Sequence, residues 1–419
     1  MSKSIKQVYS TLKIDDGRLE ILTAEYFNSR FNIINVYSAT INGVVDYKIT
    51  DKKAVLDCLY QGIEEVSSKV GARLEKVILV LPPFNFKRVS LRVSVIPNDG
   101  ILKKSDIARA ITNALKTDIG DNLIVVNTLI SKYSINGISS RRFPENESCD
   151  EALVDIDLLC ADKEMTYSYV KAINDVGLEI LDLTLNNYAI AKESVLFEDS
   201  INQNTILLDV ENDVTYLSLL SKGKLISSEV IYDGMNNLYD AVYKEYHFPL
   251  DIIPRLVTYN VDFSSNHPDD SIFAWNNGDL SYSLTIKELT DFIQRPLDTY
   301  VEKIVTMCRP IIDQGVNFRV CGKGSNMNAL LERLSDLSMC NVKGYFPDAI
   351  GVRNTSLCAV YGALYVYKEK AEMNNISVNC VNIQDYDKSL DKLEVNVEGE
   401  TITSKIKNFF EIYKDREDI

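Results

Sequence analysis

The residues best suited to chemistry in this sequence form a glycine-rich turn between a buried strand and a helix, within residues 318–331. Gly322 and Gly324 can adopt positive φ and let a ligand approach the backbone closely. Ser325 or Asn326 can cap the helix that begins there, and a helix N-terminus attracts phosphate or ribose oxygens. The same pattern also fits an ordinary turn between a strand and a helix, so it predicts a nucleotide site only together with other motifs.

Residues for the common catalytic and metal-binding arrangements are scarce. The two histidines, His247 and His267, lie in polar or proline-flanked stretches typical of a surface, so no Ser-His-Asp arrangement is predicted. The eight cysteines are scattered without a Cys-x-x-Cys pair, which argues against a zinc site and a disulfide framework. We therefore predict no catalytic residue and no metal site.

The composition is that of a globular protein with two or three domains, since 46% of the 419 residues are hydrophobic and 25% are charged. A formal net charge of -15 disfavours general nucleic-acid binding, which needs a basic surface. Residues 1–7 lack the apolar core of a signal peptide, and no run of about 18 apolar residues could span a bilayer.

Two parts of the chain show the same alternation of strands and helices, which is typical of two similar halves. In the first, an Asp-Asp-Gly turn joins two strands and Asp51 can cap a helix. Its predicted elements are strands at 7–14, 18–24, 32–41 and 77–81 and a helix at 51–71. The second part has predicted strands at 205–209, 214–220 and 225–230, helices at 238–246, 328–337 and 353–370, an irregular stretch at 249–278, and a helix after Thr285 that Pro296 and Pro310 interrupt or begin.

Between these parts lies a unit of different order. Strands are predicted at 88–96, 122–130, 133–135 and 151–161, and helices at 105–116 and 163–176. Gly177 suits the end of the second helix, and a turn at Ser131-Lys132 separates two of the strands. The unit is therefore a β-α-β-β-β-α insert, and a strand at 178–185 and a helix at 186–196 return the chain to the main body.

The C-terminal part of the chain changes character twice. Residues 371–400 are rich in Asn, Asp and Lys with few aromatics, which predicts a flexible linker. Large apolar side chains then recur on one face of a helix that Ser404 can cap. The pattern is typical of a helix lying in a membrane interface, and it also fits a helix that docks on its own domain or on a partner. The face consists of Ile402, Ile406, Phe409, Phe410 and Tyr413.

These features together resemble the FtsA family of actin-like bacterial division proteins. The insert lies where that family carries an extra subdomain, residues 320–327 are similar to its adenosine-side TGGGSNL motif, and the tail matches its membrane-targeting helix. The resemblance implies an α/β, actin-like (ribonuclease-H-like) two-lobed ATPase fold with a β-α-β-β-β-α insert subdomain and a C-terminal amphipathic helix. The implied parts are subdomain 1A at 1–87 and 181–204, insert 1C at 88–180, subdomain 2A at 205–233 and 313–370, subdomain 2B at 234–312, the linker at 371–400 and the membrane helix at 401–419.

Both phosphate loops depart from the family pattern. The family's LDIGTSK becomes LKIDDGR at residues 12–18, and its DIGGGT becomes DVENDV at residues 209–214. Loss of the glycines removes backbone N–H groups that would face phosphate oxygens, and Glu211 and Asp213 repel a triphosphate. We therefore predict a degenerate site that binds ATP weakly or not at all and does not hydrolyse it. Its candidate residues are Asp16, Gly17, Asp209, Thr215, Gly322, Gly324 and Ser325.

The resemblance also implies partners. In the family, the subdomain after the second phosphate loop binds the C-terminal peptide of the tubulin-like protein FtsZ, and Arg295 is our candidate to pair with that acidic peptide. Contact with membrane lipid, self-association into filaments and a place at the cytoplasmic face of the membrane at the division site are also implied. Two alternatives stay open. One is an active actin-like ATPase in which Asp16 and Asp209 hold magnesium after a shifted alignment, and the other is a pilus-assembly relative of the same fold.

Overall fold

The computed structural model describes residues 6–15, 17–264, 271–277 and 280–398. Lobe I begins with β1 (Gln7–Asp15), β2 (Arg18–Phe27), β3 (Arg30–Thr40), β4 (Val44–Val45), β5 (Lys48–Ile49), α1 (Lys52–Val70) and β6 (Lys76–Leu81). The insert follows with β7 (Lys87–Val95), α2 (Lys104–Ala114), β8 (Leu123–Ile135), β9 (Ile138–Ser140), β10 (Ala152–Asp162) and α3 (Lys163–Asp175). The chain then returns through β11 (Glu179–Leu185), α4 (Asn186–Glu193) and α5 (Leu196–Asp199).

The second half of the chain forms lobe II and a C-terminal extension. Lobe II begins with β12 (Asn204–Val210), β13 (Thr215–Ser221), β14 (Lys224–Ile231), α6 (Met235–Tyr246), α7 (Ile253–Asn260), β15 (Ser271–Asn277), β16 (Leu280–Thr285) and α8 (Ile286–Ile312). It continues with β17 (Val316–Gly322), α9 (Asn328–Ser338) and β18 (Asn341–Gly344). The last elements are α10 (Cys358–Met373) and α11 (Ile383–Glu398).

The sheet of lobe I has the strand order β11-β6-β1-β2-β3. Its central strand β1 runs parallel to β6 and antiparallel to β2, and it is buried beyond its first residue. Helix α1 begins after Asp51, whose side chain accepts a hydrogen bond from the Ala54 N–H, and it ends at Gly71 with φ 74°. Because these start and stop signals are local, the helix could be predicted from the sequence.

The sheet of lobe II repeats this arrangement with the order β14-β13-β12-β17-β18. Its central strand β12 runs parallel to β17 and antiparallel to β13, as β1 does to β6 and β2. One face of the lobe II sheet packs in a hydrophobic core of its own, whereas Leu207, Tyr216 and Leu220 on the other face join the core of the lobe I sheet. The repetition predicted from the sequence is therefore present as two sheets of the same topology.

Two helices, α4 and α10, connect the lobes, and we call them the helix pair. Helix α4 follows β11 of lobe I and leads to β12, whereas α10 follows β18 of lobe II and packs against α4 and β1. Gly362 of α10 lies against the backbone carbonyl oxygen of Ala189 in α4, where a β-carbon would overlap that oxygen. A residue without a side chain is therefore required at this crossing.

The insert forms a sheet of order β7-β10-β8-β9 that packs against α2. Strand β8 is continuous across Ser131-Lys132, so the turn predicted there is wrong, and Ser131 instead lies at a bulge beside Asp155. The hairpin turn is at Asn136-Gly137, where both residues have positive φ. Buried side chains of α3 join the core of lobe I, although the sequence grouped this helix with the insert.

The stretch at 249–278, which the sequence predicted to be irregular, contains α7 and β15. Pro254 lies in the first turn of α7, where its fixed φ favours a helix start, and the apolar residues of this short helix are buried at helical spacing. Helix α8 begins at the predicted Thr285 cap and continues through Pro296 and Pro310, so these prolines do not end it. Tertiary packing on lobe II compensates for the backbone hydrogen bonds that they remove.

The flexible linker predicted at residues 371–400 is instead helical over much of its described length, and its side chains as far as Leu390 pack against lobe I. Between α10 and α11, the Cys380 N–H donates to the Val8 carbonyl at 2.8 Å, and the Cys380 carbonyl accepts from the Glu75 N–H at 2.8 Å. Cys380, Val381 and Tyr386 are buried. A few apolar side chains in a polar stretch thus suffice to anchor it, which composition alone does not reveal.

The membrane-helix residues predicted between 402 and 413 lie outside the described residues. Within the described part of the chain, no helix is both long and apolar enough to cross a bilayer.

Candidate functional site

The candidate site lies where the central strands of the two lobes end. Asp15 ends β1, Val210 ends β12, and Gly322 ends β17, which pairs directly with β12. The carboxyl ends of parallel strands are where open α/β sheets place ligands. We call this region the cleft.

A buried lysine occupies the lobe I side of the cleft. Lys13 lies in β1 and is only 4% exposed. Its Nζ is 3.6 Å from Glu211 Oε1 of lobe II, 3.9 Å from Asp15 Oδ2 and 3.9 Å from Glu20 Oε2. Burial alone would lower the pKa of the Lys13 ammonium, but the charges of Glu211, Glu20 and Asp15 outweigh it and raise the pKa well above its ordinary value. Lys13 is therefore a permanent positive charge inside the cleft.

A second contact joins the lobes beside this lysine. The hydroxyl of Tyr216 in β13 donates a hydrogen bond to Asp15 Oδ1 at 2.6 Å. Burial, together with the negative charge of Asp15, raises the pKa of Tyr216 far above its ordinary value, so the hydroxyl stays protonated and remains a donor. Asp15 thus interacts with a lysine of its own lobe and a tyrosine of the other.

Asp209 lies at the base of the cleft and is 3% exposed. Its carboxylate accepts from the Asn186 amide at 3.5 Å and from the Cys321 thiol at 3.5 Å. Burial raises the pKa of Asp209 to about 6, although the positive charge of Lys13 acts in the opposite direction. Asp209 is therefore held by neutral donors, whereas Glu211 faces the lysine.

The glycine-rich turn closes the third side of the cleft. Gly322 has φ +70°, and a β-carbon there would lie 2.5 Å from the Val210 carbonyl oxygen. Ser325 is buried, and its hydroxyl donates to the Gly322 carbonyl at 2.8 Å. Met327 directly precedes α9 and occupies the N-cap position, so the prediction that Ser325 or Asn326 caps this helix is wrong. Both residues lie in a short 3-10 turn before it. The turn uses its glycines and serine for packing against β12.

Among the other predicted nucleotide-binding residues, Gly324 packs against the Val210 side chain beside Gly322 and Asp209. Thr215 points elsewhere, since its hydroxyl donates to the Asp233 carbonyl at 2.8 Å and lies 2.5 Å from the Tyr300 hydroxyl. Gly17 is exposed at the β1–β2 turn, with φ +65° and open space around it. Asp16 lies outside the described residues.

Sequence reasoning recognised Lys13, Asp15 and Glu211 only as departures from a motif, and it missed Glu20 and Tyr216. The signal was present in part, because a lysine and a glutamate lie within strands that are otherwise buried and largely apolar. A charged residue in such a strand needs a counter-charge. The sequence could not say that this counter-charge comes partly from the other lobe.

These groups make the cleft predominantly negative. Carboxylates of Asp15, Asp209 and Glu211 line the cleft, and each like-charge contact at ~4 Å costs about 4 kcal/mol at an effective dielectric constant of about 20. The Lys13 ammonium offsets some of this charge but is itself surrounded by carboxylates. Within the described ranges, no three His, Cys, Asp or Glu side chains are arranged to hold a metal ion.

Arg295 lies outside the cleft, exposed on α8. It lines a cavity of about 310 Å³ together with Asp233, Asn237, Thr299 and Tyr300. Across the described chain, its guanidinium group forms no salt bridge, whereas Lys303, two turns further along α8, pairs with Asp233 at 3.3 Å. The structure therefore leaves the Arg295 guanidinium accessible beside a small concave surface.

Comparison with known proteins finds no family model that matches this chain. Curated relatives include cell division protein FtsA of Bacillus subtilis (strain 168), 20% identical over 83% of this chain and 80% of the relative. FtsA of Enterococcus faecalis (strain ATCC 700802 / V583) is 20% identical over 96% of this chain and 98% of the relative. The predicted resemblance to FtsA is therefore confirmed over most of the chain.

Solved structures with a similar fold include a PilM-PilN type IV pilus biogenesis complex, with a TM-score of 0.56 and 13% identity over 85% of this chain and 98% of that chain. MreB5 of Spiroplasma citri bound to ADP has a TM-score of 0.51 and 11% identity over 88% of this chain and 98% of that chain. These are actin-like proteins, so the predicted actin-like fold is confirmed.

Proposed function

We propose that this chain is a divergent FtsA-like adaptor of bacterial cell division, which connects an FtsZ polymer to the cytoplasmic face of the membrane at the division site. The observation that carries the proposal is the similarity to FtsA proteins along 83% to 96% of the chain. A match of this extent covers both lobes and the insert. The similarity therefore concerns a whole architecture rather than a single shared domain.

The adaptor role requires a surface for the FtsZ peptide. Arg295 supports this part of the proposal because it is exposed beside a cavity and forms no salt bridge with any described residue. A guanidinium group suits bidentate pairing with carboxylates of an acidic peptide. Glutamate at this position would repel the same peptide.

Binding of a synthetic peptide with the FtsZ C-terminal sequence tests this assignment. Arg295→Glu should weaken the affinity by about tenfold, as loss of a charged hydrogen bond predicts. Arg309→Glu is the matched control, because Arg309 is exposed on the same helix but does not line the cavity. Equal affinities for the Arg295 variant and the unmodified protein would remove Arg295 from the interface.

The adaptor role also requires a membrane contact, and the apolar face of residues 402–413 supplies the sequence pattern for one. Liposome co-sedimentation should recover the full chain but not a chain ending at Glu400. Phe409→Glu with Phe410→Glu should abolish sedimentation, since the aromatic side chains supply most of the apolar area of that face. Asn408→Glu changes the polar side of the same segment and should lose far less binding.

Head-to-tail self-association into actin-like filaments completes the adaptor proposal, since subunits of this fold can join through heterologous contacts. Pelleting of the full chain on lipid vesicles, followed by electron microscopy, tests it. Filaments are the expected result, and isolated particles at all protein concentrations would contradict this part.

We propose further that the protein works without ATP hydrolysis and that its nucleotide site is degenerate. The carboxylate-lined cleft and the buried Lys13 support this proposal. Isothermal titration with ATP and magnesium should give no heat of binding in the micromolar range. Micromolar binding would instead favour the alternative of an active actin-like ATPase, for which the ADP-bound MreB5 offers a fold precedent.

A further inference from the structure

The most unusual feature of the interior is a lysine on the central strand of lobe I. Lys13 pairs in register with Glu20 of β2 on one side and with Val80 of β6 on the other, so sheet surrounds it on both edges. Its side chain is 5% exposed. Transfer of an ammonium group into such a site is strongly unfavourable unless carboxylates surround it. The lysine therefore depends on the acids that lie near it.

Those acids come from both lobes. Asp15 and Glu20 belong to the β1–β2 hairpin, whereas Glu211 lies just beyond β12 of lobe II and is the carboxylate closest to the lysine, at 3.6 Å. Glu211 is itself held in place, because its N–H donates to the Val214 carbonyl at 2.9 Å and its carbonyl accepts from the Met235 N–H at 3.0 Å. The lysine thus connects two fixed pieces of backbone across the cleft.

The position of this contact is informative. The cleft is formed by the two segments that correspond to the family's phosphate loops and by the glycine-rich turn, so it is where a metal-bound nucleotide would join the lobes of an actin-like ATPase. Here a covalently attached ammonium group lies between acidic groups of both lobes. One positive charge of the protein itself thus offsets part of the negative charge at the ends of the two hairpins.

We propose that Lys13 is a built-in cation that holds the two lobes together at the cleft in place of a metal-bound nucleotide. The inference rests on the part of the proposed function that makes the nucleotide site degenerate, and it adds that the Lys13 ammonium group takes the place of the metal-bound nucleotide. Two consequences follow. The closed arrangement of the lobes does not depend on ATP or magnesium, and loss of the lysine charge opens the end of the cleft while the two hydrophobic cores stay packed.

A double-mutant cycle on the full chain tests the connection between the lobes. Lys13→Met should lower the unfolding temperature by roughly 5 °C, because buried carboxylates lose their counter-charge. Glu211→Gln should also lower it, and the double variant should lose clearly less than the sum of the two. A second cycle that combines Lys13→Met with Glu20→Gln is the control, because both of these residues belong to lobe I. Coupling of Lys13 to Glu20 but not to Glu211 would overturn the proposal, since the lysine would then support its own lobe only.

Hydrogen exchange measures the opening itself, and it remains informative if Lys13→Met does not fold. Glu211→Gln keeps the lysine and both acids of lobe I, so that lobe retains its internal pairs. We expect amides at the ends of β1 and β12 to exchange about tenfold faster in this variant, whereas amides of the insert strands stay unchanged. Equal exchange at the cleft in the variant and the unmodified protein would overturn the proposal.

Magnesium-ATP separates this inference from the rest of the proposed function. Addition of magnesium-ATP to the unmodified protein should leave exchange at the cleft unchanged. Slower exchange would show that a nucleotide takes the place assigned to Lys13, which overturns the inference together with the degenerate site. Peptide and liposome binding are measured on the same samples, and their failure would instead count against the adaptor role alone.

Discussion

Two contacts between the lobes, the helix pair and the cleft, are built in different ways. At the helix pair, Gly362 of α10 touches the backbone of Ala189 in α4, so that crossing depends on a close steric fit, with a Lys192–Glu369 salt bridge of 2.6 Å beside it. At the cleft, Lys13 faces Glu211 and Tyr216 donates to Asp15, so the contact depends on charge and on a hydrogen bond. A steric contact tolerates no added atom, whereas an electrostatic contact tolerates changes of shape but not changes of charge. Substitutions at the two contacts separate these effects.

The largest effect is expected at the helix pair. Gly362→Ala should lower the free energy of unfolding by about 3 kcal/mol, because its β-carbon would overlap the Ala189 carbonyl oxygen and push the helices apart. Urea unfolding followed by circular dichroism measures the change. Gly362→Ser should cost at least as much. An unchanged unfolding curve for either variant would mean that the two helices do not cross so closely.

A somewhat smaller loss is expected at the turn that closes the cleft. Gly322→Ala combines a positive φ with a contact of 2.5 Å to the Val210 carbonyl oxygen, and we expect a loss of roughly 2–3 kcal/mol. Gly315→Ala is the matched control, since Gly315 has φ +82° but nothing within 4 Å. The control should lose only about 1 kcal/mol, from backbone strain alone. Equal losses in urea unfolding would show that the contact with Val210 contributes nothing.

The hydrogen bond across the cleft should contribute less again. Tyr216→Phe removes the donor to Asp15 and should cost about 2 kcal/mol, the usual range for a hydrogen bond to a charged acceptor. Tyr169→Phe is the control, because the buried Tyr169 hydroxyl has no hydrogen-bond partner among the described residues and its loss should be neutral or slightly favourable. Thermal unfolding of both variants should separate them. A larger loss for Tyr169→Phe would contradict this account of the cleft.

The smallest effect is a pH dependence at the helix pair. Burial raises the pKa of Glu193 in α4 from 4.5 to about 7, although its hydrogen bond with Tyr345 lowers it. In the window between these two values the folded protein holds a proton that the unfolded chain releases, so stability falls as pH rises. Because Glu193 is only partly buried, we expect a loss on the order of 1–2 kcal/mol between pH 5 and pH 8.

Glu193→Gln should abolish most of that slope and leave a protein more stable than the unmodified one at pH 8, since the amide needs no proton. Glu369→Gln is the control, because Glu369 is an exposed acid on the other helix of the pair. Its replacement should leave the slope of stability against pH unchanged. A slope that persists in Glu193→Gln would assign the pH dependence to another group.

Much of the fold followed from local signals. Helix α1 was predicted from its Asp51 cap and its glycine end, and the β1–β2 hairpin from the Asp-Asp-Gly turn. The repetition of the two halves appeared in the order of elements alone. These features depend on residues that are near one another in sequence, so pattern and propensity suffice.

Other features were missed because they depend on distant partners. The polar composition of residues 371–400 is typical of a linker. In the structure, however, the Cys380 N–H donates a hydrogen bond to the backbone of β1, and the Cys380 side chain is buried against lobe I. Helix α7 is short, and its apolar residues are buried only because α6 and α8 pack beside it in the core of lobe II. The expected serine cap of α9 failed because the Ser325 hydroxyl bonds backward to Gly322. In each case tertiary contacts outweighed local preference.

The sequence by itself determined the two-lobed repeat and the absence of the family's glycines from residues 12–18 and 209–214, because strand periodicity and glycine content are properties of short stretches. Only the tertiary structure decided which charged groups surround Lys13. Lys13 appeared in the sequence as a departure from a motif, but its carboxylate partners are gathered from two hairpins that are far apart along the chain. A buried charge is stable only with its counter-charges in place, and folding alone brings them together.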